Sequence, residues 1–467
     1  MNKNFAKYIN SVTYLKTMSE IADRENIEVF IVGGYVRDLL LKRKRVDIDI
    51  LVIGDGPNFA RKVAGSFGID DVNIFTNFGT AHFKFNNIDF EFVGARKESY
   101  DRNSRKPNVN LGSFEDDINR RDFTINTLAI SLNSENFGDL IDKFNGLEDL
   151  ENQIIKTPLD PRKTFDDDPL RILRAFRFAA QLNFQVDDKI PEAAAEMRER
   201  LKIVSQERIT DEFLKILKSP KPSIGLKLLY NTKVMEIIFP EIANLGGVEQ
   251  RKDYHHKDVF IHTCQVVDNV ANVSDDVWLR FAALMHDIAK PKTKQFIDGI
   301  GWTFHGHEEL GARMIKSIFK KLKLPFSKLN YVEILVRLHL RPIALVSENV
   351  TDSAIRRFIV SAGDNLDDLI TLCRADITSK NPEKVAQYLS NYDIVMEKVK
   401  DVEERDKLRA FQSPVKGDEI MKVFNLKPSR KVGEIKRAIE DAILDGKIEN
   451  NYEAAYKFML ALKKHLK

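Results

Sequence analysis

The chain has 467 residues, of which 43% are hydrophobic and 31% are charged, a composition typical of a globular protein with roughly two to four domains. The formal net charge is only +3, which excludes nucleic-acid binding through the charge of the whole surface and requires a local patch instead. The chain has two cysteines, no apolar run of about 18 residues and no apolar secretion signal, so we expect a cytoplasmic protein without membrane contact.

The first 145 residues are predicted to form a mixed α/β head. Strands are predicted at 29–32, 47–53, 72–76, 81–85 and 88–93. The last two alternate between apolar and polar residues and are joined by Asn86-Asn87, which is a hairpin signal. Segment 100–112 is polar and contains Pro and Gly, so it is predicted to be a mobile loop.

The most informative motif lies at the start of this head. Gly33 and Gly34 follow an apolar strand and permit a tight turn with free backbone N–H groups, a local anion site. Asp47 and Asp49 alternate on the next strand and therefore face the same side. Adjacent carboxylates repel unless a cation binds them, and Mg²⁺ prefers carboxylates combined with phosphate oxygens. The pattern predicts nucleotidyl transfer by two Mg²⁺ ions, and a solvated strand edge is the weaker alternative.

From residue 142 onward strand signals almost vanish, and the rest of the chain is predicted to be helical. The predicted fold class is α+β, a mixed-sheet head followed by an all-α body. Helices are predicted at 168–182, 192–202, 207–218, 223–231, 257–272, 277–290, 307–322, 328–339, 352–362, 365–379 and 383–403, with several more near the end.

Four further motifs follow the first in order. They are Arg120–Asn126, Asp142–Asp149, Asp167–Arg177 and Glu207–Leu217. Together with the first motif, they make the whole chain resemble the class II (bacterial) tRNA nucleotidyltransferases, or CCA-adding enzymes, and the related bacterial poly(A) polymerases. The resemblance implies a polymerase-β-like head.

The resemblance also implies roles for individual residues. Asp168 and Arg171 would select the base, because an Asp accepts a hydrogen bond from the exocyclic amine of cytosine or adenine while an Arg donates to the ring nitrogen beside it. The alternatives are a solvated helix face and arginines held structurally by acidic partners. The remaining roles are triphosphate binding by Gly33, Gly34 and Arg37, ribose or phosphate binding by Arg120, Asp122 and Asn126, and weaker RNA or phosphate contacts by Arg174 and Arg177.

A third carboxylate is normally expected on a later strand of such a head. Asp89 and Glu91 share one face of the predicted strand 88–93, and the sequence leaves the choice between them open. Arg96, just past that strand, could contact a phosphate. The segment from Glu207 to Lys215 is expected to brace the helical neck rather than to act chemically.

Histidines concentrate in the helical body. The order of His262, His286-Asp287 and Asp376 resembles an HD-type metal-dependent phosphohydrolase domain and implies these four residues as ligands. His305, His307 and His339 are candidates for a second metal or for phosphate contact. Imidazole combined with carboxylate suits a divalent transition metal such as Mn, Fe, Ni or Zn. A helical domain that keeps these residues without activity is the alternative.

The predicted division into domains is a nucleotidyltransferase head at 1–145, a nucleobase- and RNA-binding neck at 146–250, an HD domain at 251–385 and a helical tail at 386–467. Residues 426–467 carry ten Lys and Arg against six acids, a modest excess that suits contact with a tRNA backbone.

The predicted function is template-independent addition or repair of the 3′-terminal CCA of tRNA from CTP and ATP. The first alternative is addition of only A, only CC or a poly(A) tail. A further alternative is an HD phosphohydrolase, a phosphatase or 2′,3′-cyclic phosphodiesterase, with an RNA-binding head. The sequence leaves the oligomeric state open.

Overall fold

The computed structural model divides into two compact units, residues 1–243 and residues 244–467. The α+β prediction is confirmed, whereas the division into four domains and the tRNA contact of the tail stay predictions. None of the described helices is long and apolar enough to span a membrane. The described residues are 3–44, 47–75, 79–99, 108–248, 258–299, 301–346, 350–379, 381–406 and 413–465.

The first part of unit one alternates helices with strands. Its elements are α1 (Ala6–Ser11), α2 (Thr13–Glu25), β1 (Val29–Val32), α3 (Gly34–Leu40), β2 (Asp47–Val52), α4 (Gly56–Ser66), β3 (Asn73–Phe75), β4 (Thr80–Phe85), β5 (Ile88–Gly94), β6 (Arg96–Ser99), β7 (Asn108–Leu111), α5 (Phe114–Asn119), β8 (Ala129–Ser131) and β9 (Leu140–Ile141).

Seven of these strands form one mixed sheet in the order β3-β4-β5-β2-β1-β8-β9, in which β2 and β5 are parallel and the other pairs are antiparallel. Ile48 and Ile50 of β2 are fully buried with Phe90 and Phe92 of β5 in the main core cluster. Since side chains alternate along a strand, the polar residues between them face the opposite side of the sheet. That side carries the candidate site.

The five predicted head strands are all present, each within two residues of its predicted bounds in the described part of the chain. Thr76, at the end of the third predicted strand, lies outside the described residues. Strand β7 lies inside the predicted loop 100–112 and pairs with β6, so the loop prediction is wrong at 108–111. Residues 100–107 of that loop lie outside the described part of the chain, and their predicted mobility stays a prediction.

The remainder of unit one is helical, apart from two short paired strands. Its elements are α6 (Gly146–Glu151), β10 (Ile154–Ile155), α7 (Pro161–Asp167), α8 (Leu170–Leu182), β11 (Gln185–Val186), α9 (Lys189–Met197), α10 (Gln206–Lys218), α11 (Pro222–Asn231), α12 (Val234–Ile238) and α13 (Pro240–Ala243).

Unit two is helical around a single two-stranded hairpin among its described residues. Its elements are α14 (Val259–Ala271), α15 (Val277–Met285), α16 (Lys290–Thr293), β12 (Gln295–Ile297), β13 (Gly301–Thr303), α17 (His307–Leu322), α18 (Leu329–Leu338), α19 (Arg341–Ala344), α20 (Asp352–Ala362), α21 (Leu366–Ala375), α22 (Pro382–Asp406), α23 (Gly417–Phe424), α24 (Arg430–Leu444) and α25 (Tyr452–His465).

Long amphipathic helices match the prediction best, and α17 and α20 have the predicted bounds. The predicted helix 277–290 is wrong at its end, because α15 stops at Met285 and α16 begins only at Lys290. The pairs β10–β11 and β12–β13 were not predicted, because strands of two or three residues are too short to show an alternating pattern.

Candidate functional site

The centre of the head is a row of acids on one face of its sheet. Strands β2 and β5 run parallel and in register, so Asp47 lies opposite Asp89 and Asp49 lies opposite Glu91. All four side chains therefore project from the same face, away from the buried Ile48 and Ile50. Both candidates for the third carboxylate thus lie beside the Asp47–Asp49 pair.

The two candidates have different surroundings. The Asp89 carboxylate is held by the side chains of His82 at 3.1 Å and Lys84 at 3.6 Å on the neighbouring strand β4. Glu91 is exposed and its charge raises the pKa of Asp49 across the strand pair. Glu91 thus acts on Asp49 through its charge, while Asp89 is engaged by His82 and Lys84 on its other side.

Asp49 lies where strand β2 meets the glycine turn. Burial raises the pKa of its carboxyl to about 6, opposed by the charge of Arg121 and reinforced by Glu91 and Asp47. Gly33 has a φ of +73°, and a Cβ there would lie 2.7 Å from Oδ2 of Asp49. The turn therefore needs glycine both for its backbone angle and for the close approach to the carboxylate.

Three arginines of the predicted site surround one aromatic ring. The guanidinium carbons of Arg37, Arg174 and Arg177 lie 5.0, 5.6 and 4.1 Å from the ring centroid of Phe178 in α8. Arg37 also donates to both carboxylate oxygens of Asp38 at 2.9 Å. The ring holds three like charges together through cation–π attraction.

The Arg120–Asn126 motif is a network of internal ion pairs. The fully buried Asp117 pairs with Arg120 and, at 2.9 Å, with Arg121. This arrangement matches the alternative given in the sequence analysis, in which acidic partners hold these arginines for a structural reason. The spacing of Asp117 to both arginines, one helical turn, is the sequence signal that could have identified the pairing.

Asp122 and Asn126 connect this motif to the neck helices. Asp122 accepts hydrogen bonds from Asn126 at 3.0 Å and from Nε of Arg174 at 2.9 Å. Although burial raises the pKa of Asp122, Arg174 and Asn126 outweigh this and lower it to about 2, so the carboxylate stays charged. Asn126 also accepts from Arg37 at 2.8 Å, so these side chains form one connected group.

The predicted base-selecting pair lies at the start of α8. The guanidinium of Arg171 donates to the backbone oxygens of Thr164 at 3.3 Å and Arg120 at 2.5 Å. One carboxylate oxygen of Asp168 accepts from the backbone N–H of Leu170 at 3.0 Å. Arg171 is thus anchored by backbone groups, which fixes its position relative to the Arg120 motif.

The predicted brace in α10 is also in contact with α8. Glu212 is buried and its Oε2 lies 2.8 Å from Nε of Arg177. A buried carboxylate needs such a partner, because an unpaired charge is costly away from water.

Arg96, the predicted phosphate contact, lies in β6, with its side chain half-buried.

Unit two brings six potential ligands together in two adjoining groups. The ligand atoms of each group lie within 4.8 Å of one another, and the groups are His262, His286 and Asp376, and Asp287, His307 and His339. Of the three additional histidines, His307 and His339 therefore join the predicted ligands, whereas His305 is exposed and belongs to neither group. We call these six residues the HD cluster.

Backbone groups orient the imidazoles of the HD cluster. The Nδ1 atoms of His286, His307 and His339 lie 2.7 Å from backbone carbonyl oxygens, which can only accept a hydrogen bond. Each Nδ1 therefore carries a proton, which leaves Nε2 as the ring atom that can bind a metal. These three Nε2 atoms are buried, and those of His286 and His307 lie 3.1 and 3.3 Å from the carboxylate oxygens of Asp287. Buried imidazole nitrogens grouped with carboxylates fit a divalent transition metal.

Two further residues around the HD cluster were not predicted. Nζ of Lys290 lies 2.7 Å from Oδ2 of Asp287, one helical turn after it, and Thr378 Oγ1 lies 2.9 Å from Nδ1 of His262. The spacing of Lys290 from Asp287 is visible in the sequence. Thr378 is distant in sequence, and only the fold brings it to His262.

Comparison with known proteins agrees with this architecture. Three family models match in order, the "Poly A polymerase head domain" at 29–156, the "Probable RNA and SrmB- binding site of polymerase A" at 183–245 and the "HD domain" at 259–369. The chain also aligns over 97% of its length with the structure of the Bacillus stearothermophilus CCA-adding enzyme in complex with CTP, and covers 98% of it, with a TM-score of 0.68 and 20% identity. At that identity the likeness establishes the fold.

Two curated relatives are more similar in sequence. The chain is 30% identical over 352 residues to the A-adding tRNA nucleotidyltransferase of Deinococcus radiodurans, which covers 73% of this chain and 78% of the relative. It is 32% identical over 384 residues to the multifunctional CCA protein of Psychromonas ingrahamii, which covers 78% and 83%. The predicted resemblance is thereby confirmed, and the chain belongs to the family of bacterial tRNA nucleotidyltransferases, enzymes that share the poly(A) polymerase head, here followed by an HD domain.

Proposed function

We propose that this enzyme builds or repairs the 3′-terminal CCA of tRNA from CTP and ATP, without a template. The observation that carries the proposal is the row of acids on β2 and β5 beside the Gly33 turn. Similarity to a multifunctional CCA protein and to an A-adding tRNA nucleotidyltransferase supports tRNA as the substrate.

Asp47 and Asp49 are the proposed ligands of two Mg²⁺ ions, and Glu91 is the proposed third carboxylate. Glu91 is favoured over Asp89 because it lies opposite Asp49 in register, whereas Asp89 is occupied by His82 and Lys84. Mg²⁺ held by these carboxylates would supply activation of the attacking 3′-hydroxyl and charge stabilisation of the leaving pyrophosphate. The carboxylates hold their positions through the sheet, and Gly33 lets the triphosphate approach Asp49 closely.

The incoming nucleotide is proposed to lie between this face and the neck. Gly33, Gly34 and Arg37 bind its triphosphate, and Arg120, Asp122 and Asn126 contact ribose or phosphate. The hydrogen bonds of Arg37 and Asp122 to Asn126 support a shared role, because they fix the three side chains relative to one another. Asp168 and Arg171 read the base edge, and Arg174 and Arg177 contribute positive charge around Phe178.

The first experiment measures incorporation of CTP and ATP, separately and together, into tRNAs ending before CCA, after C and after CC. Addition of C, C and A followed by arrest supports complete CCA addition. If only the CC-ended tRNA accepts A, the enzyme is reassigned to A addition. This is the principal competing function, because one relative is an A-adding tRNA nucleotidyltransferase. Unlimited A addition reassigns it to a poly(A) polymerase.

A second function, metal-dependent phosphohydrolysis, is proposed for the HD cluster. The three buried Nε2 atoms of His286, His307 and His339 carry this proposal. The six residues of the HD cluster would hold a divalent transition metal, which would supply an activated water for hydrolysis of a phosphate ester, with the ribose oxygen leaving as a hydroxyl. Lys290 is placed to hold Asp287 in position, and Thr378 to orient His262.

Metal analysis of the purified protein, release of phosphate from RNA ends bearing a 3′-phosphate, and opening of a 2′,3′-cyclic phosphate to a monophosphate test this function. Stoichiometric metal with hydrolysis supports it. Metal without turnover of either substrate leaves a structural metal site and overturns the proposed phosphohydrolase.

A further inference from the structure

The hairpin formed by β12 and β13 exposes an aromatic pair. Phe296 and Trp302 are direct partners across the two strands, and their ring centroids are 5.2 Å apart in an edge-to-face arrangement. Their side chains remain 50% and 36% exposed, although aromatic residues are usually covered. Ile297 on the same hairpin is also exposed. The hairpin therefore offers ring surface to a ligand.

Positive charge accompanies these rings. Nζ of Lys294 lies 4.3 Å from the ring centroid of Trp302, and Lys292 is exposed just before the hairpin. Asp298 at the turn is the one acid between Lys290 and His307 in the sequence. A ring next to an ammonium group matches a nucleotide, which carries a flat base and an anionic phosphate.

The hairpin is continuous with the HD cluster. Strand β13 ends at Thr303, and the next residue, Phe304, accepts a hydrogen bond from Nδ1 of His307 at 2.7 Å through its backbone oxygen. Lys290 contacts both Asp287 of the cluster and the ring of Phe304, 5.6 Å from its centroid. Trp302 is five residues from His307 along the chain, so their Cα atoms are at most about 18 Å apart.

We propose that the hairpin is a stacking platform for the single-stranded 3′ end of an RNA whose terminal phosphate lies at the HD cluster. Bases near the end stack on Trp302 and Phe296, and Lys292 and Lys294 contact the backbone phosphates. This inference rests on the proposed phosphohydrolase and specifies its substrate class as RNA ends rather than small phosphomonoesters. Stacking tolerates any base, so the platform binds without sequence preference.

An RNA end is favoured over a docked protein by two features. The exposed rings come with lysines, whereas a purely apolar partner would gain nothing from Lys292 and Lys294. The surface also leads directly into a cluster of candidate metal ligands through Phe304 and His307. A stacked strand would therefore present its terminal phosphate to a group able to act on it.

Trp302 itself reports the interaction. The chain has two tryptophans, so a Trp278→Phe variant leaves Trp302 as the single reporter. A short RNA with a 3′-phosphate is titrated against this protein without nucleotides and with metal removed by a chelator, so that neither extension nor hydrolysis changes its end. We expect saturable quenching of Trp302, and no quenching by inorganic phosphate.

Matched variants locate the binding. Phe296→Ala should raise the Kd for the RNA between about 5-fold and 100-fold, as expected for loss of one stacking surface. Phe326→Ala removes another aromatic of this unit that is 54% exposed and should leave the Kd unchanged. Polarisation of a labelled RNA gives the same comparison in the Trp278-containing protein, should the Trp278→Phe variant not fold.

The outcomes separate the platform from the hydrolase. Quenching and a Phe296 effect without hydrolysis support the platform while the phosphohydrolase fails. Hydrolysis of RNA ends with equal Kd values for Phe296→Ala and Phe326→Ala overturns the platform and leaves the hydrolase standing. Absence of Trp302 quenching also overturns the platform, and a protein partner would then be the remaining ligand for the exposed rings.

Discussion

The two candidate metal sites of this chain are built in opposite ways. In the head, Asp47 and Glu91 are exposed, and the acids lie on an open sheet face with arginines nearby. In unit two, His286, Asp287 and His339 are buried, and imidazoles supply most of the potential ligands. One site is open and rich in oxygen, and the other is closed and rich in nitrogen.

The difference follows from how much of the metal coordination each site leaves to the substrate and to water. Mg²⁺ retains water and takes phosphate oxygens from its substrate, so a site with few protein ligands and an open face suits a nucleotide triphosphate. A transition metal bound by imidazole is held mainly by the protein, with positions left for water. The head should therefore depend on substrate for its metal binding, whereas the HD cluster should retain metal without it.

The largest effect is expected from Asp49→Asn. This change keeps the size of the side chain but removes the negative charge next to the Gly33 turn. Transition-state stabilisation by the metal is worth several kcal/mol, so nucleotide incorporation should fall by at least about 1000-fold. The rate of CTP addition to tRNA lacking CCA measures this loss. Near-normal incorporation would contradict the proposed role of Asp49 as a metal ligand. Metal content at the HD cluster is the internal control and should not change.

A comparison of Glu91→Gln with Asp89→Asn sharpens the description of the open site. Both changes neutralise one acid of the same strand, but Glu91 lies opposite Asp49 in register and its charge raises the pKa of Asp49. Glu91→Gln should lower incorporation by about 100-fold, a loss near that of other single electrostatic groups in active sites. Asp89→Asn should cost less than about 5-fold, because its main partners are His82 and Lys84. The reverse order would identify Asp89 as the third carboxylate.

A smaller loss is expected from Gly33→Ala. The added Cβ would meet the Asp49 carboxylate at 2.7 Å in a backbone conformation with positive φ, so the carboxylate must shift. Misplacement by about 1 Å can cost about 100-fold in rate, and we expect between 10-fold and 100-fold lower kcat/KM. Gly65→Ala is the matched control, because a Cβ there meets nothing within 4 Å and its φ is not positive. Equal activities of the two variants would contradict the importance of close approach.

The sequence predicted elements whose pattern spans many residues and missed those that depend on pairing in space. Helix α17 and the strand with Asp47 and Asp49 were predictable, since periodicity or alternation extends along the whole element. Strands β8 to β13 have two or three residues and form only because a partner is already in place.

The same limit applies to the candidate sites. The order of His262, His286-Asp287 and Asp376 predicted four ligands from a resemblance, and the structure groups three of them while Asp287 joins His307 and His339. The exclusion of His305 required its exposed position in the structure. Likewise, Asp89 and Glu91 are equivalent in sequence, and the register of Glu91 opposite Asp49 and the side chains of strand β4 around Asp89 distinguish them. Register and cross-strand contacts are properties of the fold rather than of local sequence.

The smallest effect on transfer, and the clearest test of the closed site, is expected from His339→Asn. Among the described residues, Nε2 of His339 is buried without a hydrogen-bond partner. The amide of Asn can still donate to the Val336 carbonyl that Nδ1 contacts, so the change should cost little stability when no metal is bound. Metal at about 100-fold excess over Kd stabilises by about 2.7 kcal/mol, roughly 5 to 10 °C in Tm for a unit of this size. The tryptophan fluorescence of Trp278 and Trp302, both in unit two, follows this unfolding.

Metal addition should therefore raise the Tm of the wild-type protein and of His305→Asn, whose side chain is exposed and outside the HD cluster. His339→Asn should lose most of that increase while CTP incorporation stays within about 2-fold, because the proposed metal ligands of the head are its own carboxylates. An equal increase in both variants would remove His339 from the ligand set. If His339→Asn lost CTP incorporation together with the metal-induced Tm increase, nucleotidyl transfer would depend on metal at the HD cluster. The two metal sites would then not be independent, and the contrast between a site completed by substrate and a site completed by protein ligands would no longer describe this enzyme.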